Sequence, residues 1–195
     1  MPPSELDDLA RILIDDGHAV ADDFLDAAAT AELAGCAAAR HERGEFRPAR
    51  IGAAQLRPDI RGDSICWLGE PLWPAERAVL ERIENLRLAL NRAAFLGLFD
   101  FEAHYARYPP GAGYAPHVDQ PHGAAQRRVS LVLYLNHEWQ PAAGGELCLH
   151  GADGMDQRIE PRGGRLVAFM TAGREHAVLP ATRIRWSLTG WLRSR

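Results

Sequence analysis

A histidine and an aspartate two residues apart, His117 and Asp119, are the side chains in this sequence best suited to begin a metal site. They follow a stretch rich in proline and glycine, YPPGAGYAP at 108–116. If the chain is a β-strand here, side chains at i and i+2 point to the same face, so an imidazole and a carboxylate would meet at one point. A pair at this spacing also arises by chance, so the rest of the chain must supply a third ligand.

His176, in the stretch REHAVLP, is the predicted third ligand. It lies between two predicted strands, 165–170 and 183–192, so an antiparallel sheet would bring it beside the first pair. Two histidines and one carboxylate on one face of a metal leave three coordination positions open, which suits non-haem Fe(II) that binds a co-substrate and O2 together. Closed structural zinc sites need no such vacancy.

Arg185, nine residues beyond His176, is the predicted anchor for the co-substrate. A guanidinium holds a carboxylate by two parallel hydrogen bonds, and the Tyr134 hydroxyl would add a third donor. A dicarboxylate that chelates iron at one end and binds Arg185 at the other fits this layout, and 2-oxoglutarate is such a molecule. The sequence contains no recognisable Ser-His-Asp or paired-glutamate arrangement, which agrees with chemistry carried by a metal.

Short strands of a sandwich or barrel are predicted to position these residues. Five β-branched or aromatic runs, separated by glycine, proline and aspartate, cover 101–108, 128–136, 146–150, 165–170 and 183–192. In the last run, Arg185, Ser187, Thr189 and Trp191 share one face, and Ile184, Trp186, Leu188 and Leu192 share the other. In the second run, Ser130 and Tyr134 share a face. A polar lining on apolar strands predicts a barrel interior that binds a polar ligand.

The first hundred residues read mainly as supporting helices. Helices are predicted over 5–15, capped by Ser4 with Asp7, over 26–43, opened by Asp26, and from Pro74 to about Leu96. The stretch 50–71 reads as irregular strand and loop. We therefore expect one domain over 1–195, in which 1–100 provides helical support and a substrate loop and 101–195 forms a catalytic β core.

Composition narrows the functional classes. The formal net charge of −4 comes with no strongly basic face, so nucleic acid is not an expected partner. No apolar run of membrane-spanning length is present, and the acidic, amphipathic N-terminus is not a signal peptide, so we expect a soluble, cytoplasmic protein with no membrane partner. Three cysteines, Cys36, Cys66 and Cys148, without CxxC spacing argue against a disulfide framework or a structural zinc site.

Several motifs together resemble the Fe(II)- and 2-oxoglutarate-dependent dioxygenases, and among them the prolyl hydroxylases of the hypoxia-inducible-factor type and their bacterial relatives. These motifs are HVD at 117–119, His176, Arg185 six residues before Trp191, YLN at 134–136, GGEL at 144–147, IEP at 159–161, and IRGD at 60–63 with Trp67 nearby. The resemblance implies a mainly β fold, a double-stranded β-helix or jelly-roll core of the cupin type with N-terminal helices packed outside.

The resemblance also implies a role for each matching residue. His117, Asp119 and His176 match the iron ligands, and Arg185 matches the residue that binds the distal carboxylate of 2-oxoglutarate. Tyr108, Tyr134 and Thr189 match positions that line the co-substrate pocket, whereas Arg61, Asp63, Arg127 and Trp191 match positions that face the substrate. The implied cofactors are Fe(II), 2-oxoglutarate and O2, with ascorbate in a supporting role. Arg61 and Asp63 could also simply close a turn by pairing with each other.

The resemblance implies hydroxylation of a prolyl residue in a protein, with oxidative decarboxylation of 2-oxoglutarate to succinate and CO2. By analogy with bacterial relatives, the expected target is elongation factor Tu. Three alternatives remain open at this level: a free amino acid or small peptide as the substrate, a cupin-like sensor that binds metal and 2-oxoglutarate without turnover, and a zinc hydrolase. Retention of Asp119 argues against a halogenase, whereas HAV at 176–178, where relatives often have HEV, leaves the pocket's shape and the substrate open. The oligomeric state is not predicted.

Overall fold

Two antiparallel β-sheets and three helices make up a computed structural model of the chain, which describes residues 3–51, 55–119, 126–151 and 154–195. The helices are α1 (Pro3–Asp16), α2 (Ala27–Glu42) and α3 (Pro74–Ala94). The strands are β1 (His18–Ala21), β2 (Arg47–Pro48), β3 (Ser64–Trp67), β4 (Leu98–Tyr108), β5 (Tyr114–His117), β6 (Arg127–Tyr134), β7 (Leu147–Leu149), β8 (Gln157–Ile159), β9 (Leu166–Met170), β10 (His176–Val178) and β11 (Arg185–Ser194).

The helices begin and end close to the predicted positions. The Asp26 carboxylate caps α2 by accepting a hydrogen bond from the Ala29 N–H at 2.8 Å. Pro74 occupies the first turn of α3, where a missing N–H costs no helical hydrogen bond. The cap predicted for α1 is wrong, because Ser4 lies inside the helix rather than before it.

The larger sheet contains seven strands in the order β1-β9-β6-β11-β4-β3-β2, and the smaller sheet contains four in the order β5-β10-β7-β8. In the smaller sheet, β10 pairs antiparallel with β5, and His176 lies directly opposite His117. This pairing is the one the sequence predicted for the third ligand. The two antiparallel sheets confirm the predicted double-stranded β-helix, or jelly-roll, core.

Alternation along β11 separates the core from the space between the sheets. Leu188 and Leu192 point outward into the large apolar cluster that also contains buried residues of all three helices. Residues at the alternate positions, beginning with Arg185 and ending with Trp191, point the other way and line a cavity. The predicted two faces of this strand are therefore confirmed, and the helices form a layer on the outside of the larger sheet.

Several short strands were not predicted. β1, β2, β5, β8 and β10 have two to four residues each, too few to show a two-residue period among flanking glycines and prolines. One consequence concerns the ligand pair, since Asp119 lies two residues beyond the end of β5 and not on the strand. The same-face argument for His117 and Asp119 was therefore wrong in detail, although the two side chains do converge.

Candidate active site

A cavity of about 50 Å³ lies between the two sheets and collects most of the residues singled out from the sequence. β11 contributes Arg185, Ser187, Thr189 and Trp191, β4 contributes His104, Ala106 and Tyr108, and the smaller sheet contributes Leu147, His176 and Val178. Along β11, Arg185 and Trp191 are six residues apart, or about 20 Å at the usual rise of a strand. The cavity therefore has two separate ends.

Three side chains between these ends are arranged as a facial metal site. One potential ligand atom each from His117, Asp119 and His176 lies within 4.8 Å of the others. The Asp119 Oδ1 atom is 3.7 Å from the His117 Nε2 atom, and its Oδ2 atom is 3.6 Å from the His176 Nε2 atom. β5 and β10 supply the two histidines from neighbouring strands, and the segment after β5 supplies the carboxylate.

The backbone fixes which nitrogen of each histidine is available. The Nδ1 atom of His117 is 2.9 Å from the Ala115 carbonyl oxygen, and the Nδ1 atom of His176 is 3.2 Å from the Arg174 carbonyl oxygen. Because a carbonyl only accepts, each Nδ1 must carry the proton and donate. In the neutral rings both Nε2 atoms then carry lone pairs directed towards Asp119, as ligating histidines require.

Electrostatics keep two of these groups in their ligating forms. Burial lowers the pKa of His176 to about 4, which leaves its imidazole neutral at physiological pH. Burial opposes ionisation of Asp119, but the neighbouring His117 and His176 side chains and the Ser130 hydroxyl outweigh it and hold the pKa of Asp119 below its usual range. The Ser130 Oγ atom donates to the Asp119 Oδ2 atom at 2.7 Å, which orients the carboxylate. Two imidazoles and one carboxylate with an open face fit Fe(II).

Arg185 lies at the closed end of the cavity with hydrogen-bonding capacity to spare. Its side chain is 1% exposed, its Nε–H donates to the Gly145 carbonyl at 2.8 Å, and its Nη2 atom has no partner among the described residues. The buried Tyr134 hydroxyl also lacks a partner within the described ranges. A buried charge and a buried hydroxyl left unpaired are costly, so both fit an anionic group that enters the cavity. A carboxylate of 2-oxoglutarate has this chemistry.

Gly145 in the GGEL motif gives Arg185 its backbone partner. Its φ of +78° lies in the left-handed region, and a Cβ atom there would come within 2.9 Å of Ala181 Cβ and 3.4 Å of Arg185 Cδ. Glycine is therefore required both for the turn and for the close approach. Two aromatic rings flank the same guanidinium, with centroids 5.0 Å away for Tyr134 and 5.2 Å away for Tyr108. Burial raises the pKa of both phenols, which keeps their hydroxyls protonated.

Arg61 and Asp63 pair with each other and also line the cavity. The guanidinium donates to both carboxylate oxygens, at 2.7 Å from Nε to Oδ1 and 3.1 Å from Nη2 to Oδ2. The Arg61 guanidinium also lies 4.8 Å from the centroid of the Tyr114 ring, and this ring stacks on His117 with centroids 3.5 Å apart. The pair thus forms the contact between Arg61 and Asp63 on which the alternative interpretation depends, and Arg61 also lies against the ring that covers His117.

A wide groove opens from the part of the cavity that His117 and Asp119 line. Among the residues that line it are Arg127, Trp67 and Trp191, together with His117 and Asp119. The Arg127 guanidinium stacks over Trp191 at 3.5 Å from the ring centroid. Its Nε–H donates to the Glu102 carboxylate at 2.9 Å. Arg127 and Trp191 thus lie on the side of the metal site opposite Arg185.

Thr189 lies midway along the cavity, where its hydroxyl is 3.1 Å from that of Ser187. Sequence reasoning missed several lining residues, among them His104 and Tyr114. His104 is buried between Trp67 and Trp191, where desolvation lowers its pKa to about 3, and Tyr114 is the ring that stacks on His117. The two-residue alternation of 104, 106 and 108 in β4 was a signal for His104. His122, which the sequence left as a loop residue or a substrate contact, lies outside the described residues.

Comparison with known proteins agrees with this geometry. The family described as the 2OG-Fe(II) oxygenase superfamily matches residues 103–193. The crystal structure of a Pseudomonas putida prolyl-4-hydroxylase is 42% identical, with a TM-score of 0.90 over 97% of this chain and 99% of that one. A Trichoplax adhaerens prolyl hydroxylase, in complex with a hypoxia-inducible-factor peptide fragment, is 25% identical with a TM-score of 0.86 over 98% of this chain and 90% of that one.

Egl nine homolog 1 of Homo sapiens is 31% identical over 187 residues, which cover 90% of this chain and 43% of the human protein. The chain thus spans less than half the length of that relative. The chain belongs to the 2OG-Fe(II) oxygenase superfamily. Its predicted place among the 2-oxoglutarate-dependent dioxygenases that resemble prolyl hydroxylases is confirmed, and with it the family's dependence on Fe(II), 2-oxoglutarate and O2. In the described ranges, no helix combines the length and apolar character needed to cross a membrane.

Proposed function

We propose that this chain hydroxylates a prolyl residue of a protein substrate and couples this to oxidative decarboxylation of 2-oxoglutarate to succinate and CO2. The observation that carries the proposal is the order of groups along the cavity. Arg185 lines only the inner cavity, Arg127 lines only the outer groove, and His117 and Asp119 line both. A metal held between the two compartments would face a co-substrate on one side and a substrate on the other.

The proposed roles follow from this order. His117, Asp119 and His176 would hold Fe(II), which supplies the oxidising power from O2 when it is bound. Arg185 would bind the distal carboxylate of 2-oxoglutarate, and the Tyr134 hydroxyl would donate a further hydrogen bond to it. The burial of both groups excludes water from the co-substrate. No general base is assigned, because the protein's task here is to bind and orient two partners.

Tyr108 and Thr189 complete the proposed co-substrate pocket. Tyr108 is 5% exposed and has its ring beside the Arg185 guanidinium, so it would shape the wall of the pocket. On the substrate side, Arg127 and Trp191 would form one wall of the groove, while Arg61 and Asp63 would form the boundary where the loop before β3 meets the metal site. These assignments are proposals from position and side-chain chemistry.

A polypeptide fits the groove better than a free amino acid does. The groove has a volume of about 1180 Å³, against about 50 Å³ for the inner cavity, and it extends past Trp67, half of whose surface is exposed. A small substrate would need a narrow mouth over the metal, and this groove is broad. The similar proteins add support, since two are prolyl hydroxylases and one of them is bound to a peptide.

We propose elongation factor Tu as the protein substrate to test first. The enzyme, loaded with Fe(II) under anaerobic conditions, is given O2 and 2-oxoglutarate with and without the factor from the same cell. Mass spectrometry then reads the factor for one added oxygen on a proline. His117→Ala should abolish both succinate formation and the added oxygen, whereas His137→Ala, at an exposed histidine, should change neither.

The possible outcomes test the proposed reaction and the proposed protein target separately. Modification that depends on His117 would support reaction and target together. Succinate formation without a modified factor would refute the target and move the search to other polypeptides and to small amino-acid or peptide substrates. A protein that binds 2-oxoglutarate without consuming it under any condition would support the sensor interpretation and contradict the enzymatic proposal.

A further inference from the structure

A second cluster of metal-binding side chains lies on the far side of the smaller sheet, at the end of the β7–β8 hairpin. Leu147 and Leu149 of β7 point inward and pack in the apolar cluster between the sheets. Cys148 and His150 alternate with them and therefore point to the opposite face. Asp156 immediately precedes β8 and lies beside them.

The three side chains are close enough to share one ion. One ligand atom each from Cys148, His150 and Asp156 lies within 4.8 Å of the others. The His150 Nδ1 atom is 2.8 Å from the Asp156 Oδ1 atom, and its Nε2 atom is buried without a hydrogen-bond partner among the described residues. Cys148 is only 3% exposed, so its sulfur is enclosed by protein on the inner side of the cluster.

We propose that Cys148, His150 and Asp156 form a second metal site, distinct from the iron site, that binds a divalent cation of the zinc class. Thiolate and imidazole ligands favour zinc and its borderline-soft neighbours over magnesium or calcium, which prefer oxygen alone. The fourth tetrahedral position would face solvent and hold water. The iron site has no sulfur ligand, so the two sites differ in donor chemistry.

Metal binding would exchange a proton for the cation. Burial and the neighbouring Asp156 carboxylate raise the pKa of the Cys148 thiol, so the free thiol is protonated at neutral pH. When the cation binds, the S–H bond breaks, the proton goes to solvent, and the sulfur's electron pair forms the bond to the metal. His150 binds as the neutral ring and Asp156 as the carboxylate, so no further proton or electron moves.

A cation at this site would link the two strands of the β7–β8 hairpin, and β7 is the neighbour of β10, which carries the proposed iron ligand His176. In the register of β7 and β10, Cys148 lies opposite Ala177, and Leu149 lies opposite His176. A cation at the proposed site would therefore stabilise β7, the strand against which His176 is held. The sequence spacing, C-x-H-x5-D, matches no common zinc pattern, which is why reading the cysteines by spacing gave no metal site.

Cobalt(II) titration of the metal-free full-length protein tests this proposal without any activity assay. Cobalt bound by the iron triad has only nitrogen and oxygen ligands, whereas cobalt bound at the proposed site gives a thiolate-to-metal charge-transfer band in the near ultraviolet. We expect two equivalents to bind and the band to saturate with one of them. Cys148→Ser should lose the band and one equivalent, and Cys66→Ser, at another buried cysteine, should keep both.

Asp156→Asn provides a variant that should fold normally, because Asp156 is exposed at the end of a loop. We expect its cobalt affinity at the thiolate site to fall about tenfold or more, at least as much as the loss of an outer-shell partner costs. Two results would overturn the proposal. One is a wild-type protein that saturates its triad with a single equivalent and shows no thiolate band, and the other is a band that survives in Cys148→Ser.

Discussion

Replacing Arg185 by methionine should abolish most of the binding of 2-oxoglutarate while leaving the fold intact. The side chain is buried, and one of its terminal nitrogens has no partner among the residues the structure describes. Methionine has a similar length and no charge, so it removes a buried cation with an unpartnered nitrogen, at the loss of the 2.8 Å hydrogen bond to the Gly145 carbonyl and of the guanidinium's contacts with the Tyr108 and Tyr134 rings. The metal-free, ligand-free variant should therefore be about as stable as the wild type.

The magnitude follows from the hydrogen bonds that Arg185 would make. Two charge-assisted hydrogen bonds to a carboxylate are worth roughly 3 kcal/mol or more together, so Kd should rise at least about 100-fold. At a 2-oxoglutarate concentration of about 100 times the wild-type Kd, the ligand stabilises the wild type by about 2.7 kcal/mol but the variant by only about 0.4 kcal/mol. For a chain of this size the gain in Tm should drop from roughly 5–11 °C to about 1 °C.

The assay is thermal unfolding with increasing 2-oxoglutarate, using Fe(II)-loaded protein under anaerobic conditions, together with a direct calorimetric Kd. Arg183→Met is the matched control, since Arg183 precedes the same strand but is exposed, and among the described residues its guanidinium donates to the His137 and Glu138 carbonyls. It should respond to the ligand as the wild type does. An unchanged Kd in Arg185→Met, with the control intact, would refute the assignment of this residue to co-substrate binding.

Three further predictions concern buried polar contacts. Ser130→Ala removes the hydrogen bond that orients Asp119 and should lower metal affinity by about 10–100-fold, measured by metal titration, with little change in the Tm of the metal-free protein. Arg40→Met leaves the fully buried Glu76 carboxylate without its bidentate partner and should cost about 3–5 kcal/mol of stability in urea unfolding. Burial opposes ionisation of Glu76, but Arg40 and the Trp73 N–H outweigh it and lower the pKa of Glu76. The ionised Glu76 therefore stabilises the fold above the unfolded-state pKa of about 4.3, and this stabilisation is lost as the pH falls below that value. In Glu76→Gln, the free energy of unfolding should therefore fall less steeply between about pH 5 and pH 3 than in the wild type, and an unchanged slope would contradict the argument.

The longer elements of the fold were predictable because they carry a clear period. α2 and α3 have recognisable starts, and β4, β6 and β11 are long enough for alternation to show. The short strands were not predictable, because a strand of three residues has no period and is defined by its partners in the sheet. The division into a helical part over 1–100 and a β part over 101–195 stays a prediction, and the structure adds that β1, β2 and β3 join the larger sheet from the first part.

Residues of the candidate site could be proposed from the sequence where a residue type alone limits the chemistry, and their roles stay predictions. His117, Asp119, His176 and Arg185 could be named because few side chains bind iron or a buried carboxylate. Tyr114 could not be named in that way, because an aromatic ring has many uses and only the fold brings it onto His117 at 3.5 Å. A residue that orients a metal-binding side chain is thus harder to predict from the sequence than the metal-binding side chain itself.

The contacts around His117 show why these orienting residues matter to the proposed function. One face of the imidazole is covered by Tyr114, whose ring in turn lies under the Arg61 guanidinium, and Arg61 is fixed by its bidentate pair with Asp63. The ring's Nδ1–H is fixed by the Ala115 carbonyl. Because both the plane and the tautomer of His117 are set by neighbours, its Nε2 lone pair has one direction before any metal binds. A loop that also borders the groove supplies two of these neighbours, so a substrate that moves Arg61 or Asp63 would act directly on the geometry of a proposed metal ligand.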